Sequence, residues 1–232
     1  MTTAAARSDV IPYITSRRGE EIDVSAMLAI RPGGVGLCYR DEVPRDRDRQ
    51  GVLWSRCTQR LNSEGRPEGS PRWASVHPSR QRETMAALHC QKCVQSASRT
   101  GLGFLFLQSP PAEGKARPGW PEGIRTTEPP LCLPHAQDAV EQCGRLLRDG
   151  WVALRARVPR LYGVIGTLFR CGPDGAPVPV EVPEEVASQP LSYRTDHLLR
   201  PWFLASQLVR ELQDVTVIDL ESEIALARLH HP

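Results

Sequence analysis

The chain has 232 residues, of which 40% are hydrophobic and 24% charged. That composition belongs to a globular protein and excludes collagen-like, mucin-like and wholly disordered chains. The formal charge of +2 joins two unlike parts: residues 1–173 hold 25 basic and 17 acidic side chains, residues 174–232 hold 4 and 10. Such a split offers a basic surface to an acidic partner, or the two ends neutralise each other in the fold. The pI of about 8.2 falls short of the value above ~9 that marks a nucleic-acid-binding domain. No apolar run reaches the roughly 18–20 residues of a membrane span. Residues Met1–Arg7 lack the apolar core of a signal peptide. A cytoplasmic protein without membrane contact is expected.

Residues 1–8 read as a loose tail. Short strands are expected at Val10–Thr15, Met27–Ile30, Val35–Tyr39 and Gly51–Cys57, from their β-branched and apolar content and the Pro-Gly-Gly turn at 32–34. The alternating charges of 40–50 read as a solvated loop, and 62–72 as a linker or long hairpin loop. A helix starts near Pro78, since proline suits a first helical turn. A strand follows at Leu102–Leu107, and the Pro- and Gly-rich stretch 109–130 is loop. The clearest helix begins at Pro134. Ala136, Ala139, Val140, Cys143, Leu146 and Leu147 form its apolar stripe, and Gly150 ends it. Strands are expected at Val152–Val158 and Leu161–Phe169. An amphipathic helix is expected within 195–213, carrying Leu198, Trp202, Ala205, Val209 and Leu212. A strand at Val215–Leu220 and a terminal helix at Glu221–His230 complete the chain. The fold class is therefore α+β, with short antiparallel strands and about four helices. Its segments are a β-rich region at 1–72, a central module at 73–170 and an acidic helical region at 171–232.

Seven cysteines without an export signal argue against a disulfide framework and for metal ligation. Cys90-x-x-Cys93 is a turn whose two sulfurs can converge on one ion at about 2.3 Å. Cys132-x-x-His135 follows 39 residues later at the start of the clearest helix, where exposed N–H groups favour thiolate charge. Three thiolates and one imidazole suit a tetrahedral Zn²⁺ and also accept iron. Four protein ligands close the site, so the metal is structural. Cys143 reads as core, and His89 as a weaker competing ligand. The alternative for Cys90 and Cys93 is a redox pair or free buried thiols.

The order of Leu-His-Cys-Gln-Lys-Cys, an apolar strand, and Pro-Pro-Leu-Cys-Leu-Pro-His at a helix start resembles a treble-clef zinc finger over residues 88–149. It is also similar to uncharacterised zinc-containing proteins of actinobacteria, in which the last ligand is usually cysteine and is here His135. The resemblance implies a knuckle, a β-hairpin and a helix sharing one structural zinc. The chain departs from that pattern in the insertion at 109–130 and at Val94, where a knuckle usually carries glycine.

Arg80, Arg82, Lys92 and Arg99 flank the first ligand pair. Arg145, Arg148, Arg155 and Arg157, with Arg160, flank the helix end. Together they outline a basic face for nucleic acid or a protein partner, or else a solvated helical surface. Four of the five tryptophans are expected in cores, and Trp120, in Pro-Gly-Trp-Pro, at a contact loop. These readings favour a regulatory, non-enzymatic, zinc-stabilised binding protein. The alternatives are a metal-supported enzyme working around His77 or His197, and a zinc/thiol redox sensor. A nuclease of the treble-clef kind is disfavoured, because no histidine lies between 94 and 134. The grouping of Ser192 with Asp196 and His197 is too local for a hydrolytic triad.

Overall fold

The computed structural model describes residues 11–21 and 27–230. The expected tail at 1–8, and Val10, lie outside them. In chain order the elements are β1 (Thr15–Arg17), β2 (Leu28–Ile30), β3 (Leu37–Tyr39), β4 (Leu53–Trp54), β5 (Pro71–Val76), α1 (Pro78–Ala87), β6 (Arg99–Thr100), β7 (Gly103–Gln108), β8 (Arg125–Thr126), α2 (Leu133–Gln142), α3 (Gly144–Asp149), β9 (Val152–Cys171), β10 (Pro177–Pro179), α4 (Glu184–Ala187), β11 (Leu191–Ser192), β12 (Phe203–Ile218) and α5 (Leu220–His230). Short 3-10 turns stand at Pro44–Asp46 and Arg200–Trp202.

Two long strands organise the molecule. β9, of 20 residues, and β12, of 16, pair antiparallel from Phe203 opposite Leu168 to Ile218 opposite Ala153. Two bulges bend this ribbon, with Ser206 as the extra residue on β12 and Tyr162 on β9. Gly163 and Gly166 lie beside the bulges, where a Cβ would sit 1.9 Å from the Leu191 carbonyl oxygen and 2.0 Å from that of Leu204. Only glycine admits such close backbone approach. The sheet runs β4-β12-β9-β7-β6, with β8 on β12 and with β10 and β11 on β9, making eight strands. β4 runs parallel to β12, so the sheet is mixed. β1 with β5, and β2 with β3, form two small antiparallel sheets. The large sheet takes strands from all three of the segments outlined in the sequence.

Three expectations need correction. The helix within 195–213 is the start of β12. Its residues 203–205 and 208–210 are buried in consecutive runs, so alternation is lost and a spacing of three or four arises by chance. The separate strands at 152–158 and 161–169 are one. Pro159, in the expected gap, faces Leu212 of β12, and it lies between the stretches that pair with β7 and with β11. Proline is tolerated there because no ladder partner occupies that edge among the described residues. The helix from 134 to 150 is divided at Cys143 into α2 and α3.

The sheet buries both faces. Leu105 and Leu107 of β7 join Ala153, Leu131, Ala136, Leu146 and Leu220 on the side covered by α2, α3 and α5. Phe106, between them, joins Leu154, Ala156 and Leu212 on the other side. α1 lies on that other side, where Met85 packs with Trp54, Val164, Phe203 and Leu208. Each buried Leu, Val, Phe or Met among them contributes roughly 1.5–3 kcal/mol of apolar burial. Buried polar groups fix how α1 sits. The Gln81 amide donates to the carbonyls of Leu208, at 2.9 Å, and Thr127, at 2.8 Å, while its oxygen accepts the Leu208 N–H at 2.8 Å. Arg210 donates to the carbonyls of Met85 and Ala86 at the C-terminal end of α1, where a cation opposes the helix dipole. Arg80, fully buried, grips Glu20 through two bonds of 2.9 and 2.7 Å and holds the N-terminal segment against α1. No helix among the described residues is long and apolar enough to cross a membrane.

Candidate metal centre

α1 ends at Leu88, which turns left-handed at φ 56°. The chain then tightens into the knuckle. The Val94 N–H donates to the Cys90 carbonyl at 2.9 Å, and the Cys90 N–H donates to the Gln95 carbonyl at 2.8 Å. Val94 stands at φ 64°. A β-branched residue is a genuine outlier in that region, and it persists only when its surroundings impose it. The valine where glycine was expected is therefore accommodated by strain.

The second ligand pair reaches the knuckle along residues 130–131. Gln91 donates its N–H to the Pro130 carbonyl at 3.1 Å, Ser98 donates to Leu131 at 2.9 Å, and Leu131 donates to Leu105 at 2.9 Å. Cys132 is the N-cap of α2 and Pro134 lies in its first turn. His135 follows one residue later, so both donors project from the same helix start. Lys92 binds Asp138 at 3.1 Å and adds a bond from knuckle to helix.

These elements bring together the four residues that the spacing singled out. One donor atom each from Cys90, Cys93, Cys132 and His135 lies within 4.8 Å of every other. His135 Nδ1 is 3.1 Å from Cys132 Sγ and 3.6 Å from Cys90 Sγ. Donors around a tetrahedral zinc, with bonds of about 2.0–2.3 Å, stand roughly 3.5–3.8 Å apart, so the quartet has the size of a metal site. Cys90 is buried and the other three are half-buried. The underlying cluster of Leu105, Leu131, Ala136 and Leu220 also packs Cys143.

Three sulfurs this close cannot all ionise unaided. The Cys90 thiol is drawn down to about 4 by a hydrogen bond from Cys132 and by backbone N–H groups of Cys132, Cys93 and Lys92, against the opposing effect of burial. Sharing that bond with Cys90, and burial, push Cys132 up. Burial, with the nearby Cys90 charge, also raises Cys93. A divalent cation removes this conflict, because it replaces the shared protons and accepts all three sulfurs as thiolates.

The basic residues are less free than their number suggested. Arg80 and Arg155 are wholly buried, which removes them from any surface. Arg155 pairs with Glu223 of α5 and donates to the carbonyls of Ser98 and Gly103. Lys92 pairs with Asp138, Arg145 with Glu128, Arg148 with Asp149 and Arg157 with Asp214. Arg99 is exposed and lies over the Phe104 ring. Arg82 lies over Trp54 and donates to the carbonyls of Arg45 and Arg47. Trp73, expected in a core, is 70% exposed, and Trp120 is half-buried.

The candidate catalytic histidines gain no machinery. His77 is buried as the N-cap of α1, within 3.3 Å of the Thr58 carbonyl. Burial and the Arg80 charge lower its pKa. The Ser192 hydroxyl accepts the Arg194 and Thr195 N–H groups, and Asp196 accepts the Ser192 N–H, which closes a turn and leaves His197 exposed. Comparison with known protein families, with curated proteins and with solved structures finds no match for the chain.

Proposed function

We propose that this is a non-enzymatic binding protein organised by a structural Zn²⁺ held by Cys90, Cys93, Cys132 and His135. The observation that carries the reading is the convergence of four soft and borderline donors, from two segments about 40 residues apart, within 4.8 Å. The order of knuckle, hairpin β6–β7 and helix α2 supports a treble-clef-like description of the module. Zinc bound here would supply a cross-link. Cys90 and Cys93 anchor the knuckle, and Cys132 and His135 anchor the start of α2 on β7. Four protein donors fill a tetrahedral shell and leave no open position for substrate.

A protein partner is favoured over nucleic acid. Six of the eight basic residues first assigned to the binding face are neutralised by carboxylates of the same chain. Such pairing lowers the local cationic charge on which phosphate-backbone binding depends.

Elemental analysis of the purified protein tests the metal. One zinc per chain is expected, and its loss in Cys132→Ser. A metal-free preparation that is fully folded would overturn the assignment. Retention on nucleic acid that weakens with salt and with Arg145→Ala/Arg148→Ala would overturn the preference for a protein partner.

A further inference from the structure

On the face of α1 that turns away from the sheet, the loop 41–57 leaves a cleft of about 810 Å³. That is the size of a small-molecule site, and none of its lining residues is a donor of the metal centre. Its walls carry Arg45, Arg82, Ser55 and Ser79, with Trp54 behind them. Two carboxylates also line it, and both are engaged. Asp46 receives two bonds from Arg56, at 3.0 and 2.7 Å, and Glu83 accepts the Tyr13 hydroxyl at 2.8 Å.

The cationic side is not matched in this way. Arg82 is half-buried and spends its donors on the carbonyls of Arg45 and Arg47, at 3.3 and 3.1 Å, with no carboxylate ion-paired to it. Burial holds its pKa below the ordinary arginine value in spite of the nearby Asp48 and Asp46 charges, which offset only part of the cost of burying it. The exposed Arg45 forms no ion pair among the described residues. Ser55 is only 6% exposed, lines the cleft, and its hydroxyl makes no hydrogen bond among the described residues. Ser79 stands in the first turn of α1, where Pro78 has no N–H and the His77 side chain caps the Arg80 N–H, so the Ser79 N–H is the one first-turn donor without a helical acceptor.

We infer that this cleft binds the phosphate group of a small phosphomonoester, with Arg45 and Arg82 supplying the charge and Ser55 and Ser79 the hydroxyl donors. A dianion with several acceptor oxygens suits two guanidinium groups that approach from different walls. It suits the adjoining positive helix end as well. Cys57 and His77 also line the cleft, yet burial pushes the Cys57 thiol up to about 11, with the Glu20 charge adding to it. A thiol raised in this way is mostly protonated near neutral pH, and binding alone is inferred.

The test uses the full-length protein with inorganic phosphate, phenyl phosphate and benzoate as probes. Intrinsic tryptophan fluorescence and the melting temperature are the readouts, and zinc content is measured alongside. Phenyl phosphate is expected to bind saturably and to raise the melting temperature, with benzoate at least tenfold weaker. Arg45→Gln and Ser55→Ala, neither of which removes an internal ion pair or hydrogen bond, are each expected to weaken phenyl phosphate at least fivefold with zinc content unchanged. The inference is overturned if no probe binds with a Kd below about 1 mM. It is also overturned if benzoate binds as well as phenyl phosphate, or if both variants bind like the parent. Zinc content reports separately on the metal centre, so either reading can fail alone.

Discussion

Two regions of this molecule fasten irregular chain onto the same β9–β12 ribbon, and they do so by different chemistry. On the α1 side, buried charges and amides make the links: Arg80 with Glu20, Gln81 with β12, and Arg210 with the end of α1. On the α2 side, four side chains able to hold a metal ion meet at one point. The first kind of link is assembled from the chain alone and costs desolvation of every charge. The second, on the proposed reading, adds an ion from outside to the apolar cluster on which the two ligand segments already pack. The contrast shows where each half is vulnerable: one to removal of a single partner, the other to loss of metal.

The largest effect is expected at the metal. Cys132→Ser, or prolonged chelation, should release the zinc and open residues 88–98 and 130–143 to hydrogen exchange while β9–β12 stays protected. Structural zinc contributes on the order of 10 kcal/mol to folding in small finger peptides, so a loss above about 5 kcal/mol is expected by denaturant unfolding. Uniform protection throughout would erase the contrast between the regions. On the other side, Arg80→Ala leaves the Glu20 carboxylate buried and alone, and should cost about 3–5 kcal/mol. The paired replacement Arg80→Met/Glu20→Leu should cost much less, and equal losses would show that packing alone is at stake.

Gln81→Leu strips partners from both the N–H and the carbonyl of Leu208. A loss of about 2 kcal/mol is expected, with zinc content unchanged. Asp46 gives a smaller, pH-dependent effect. Burial alone would raise its pKa, but the hydrogen bonds from Arg56 and the Val43 N–H, with the charges of Arg56 and Arg45, bring it below the ordinary 3.8. A depressed carboxylate stabilises the fold above its unfolded value and loses that contribution as pH falls through the folded one. The deficit of Asp46→Asn should therefore be full at pH 7 and shrink steadily below about pH 4, as read by melting temperature against pH. The smallest change is a gain: Val94→Gly relieves the left-handed valine and should add about 1 kcal/mol. A loss instead would mean that the valine side chain packs more usefully than its backbone strains.

The metal quartet was legible because ligand spacing is local. Cys-x-x-Cys makes a turn and Cys-x-x-His marks a helix start, whatever lies between. α1 and β7 were legible for a similar reason, since proline at a helix start and an apolar run between breakers act within a few residues. The long ribbon was not legible. β12 is buried in consecutive runs and carries a bulge at Ser206, so its side chains never keep a period of two for long. That β9 runs on through Pro159 could not be read either, because the sequence does not show that one edge of β9 has no partner there among the described residues. The basic face misled for another reason. Whether an arginine is offered outward depends on distant carboxylates, such as Glu20 for Arg80 and Glu223 for Arg155. The arginines of the α1 cleft could not be read as a group from sequence, because Arg45, Ser55 and Arg82 meet only through the fold.

The ribbon also has a kinetic consequence. β12 can zip onto β9 only after the chain has looped through residues 172–202, and β4 must then return from far upstream to pair with Leu204 and Ala205. Pairings of such long sequence separation form slowly. The knuckle and the start of α2 stand about as far apart along the chain as the joined ends of β9 and β12, and much nearer than β4 and β12, so the proposed zinc could join them before β4 docks. Refolding should then run faster when zinc is present from the first moment than when it is added after collapse.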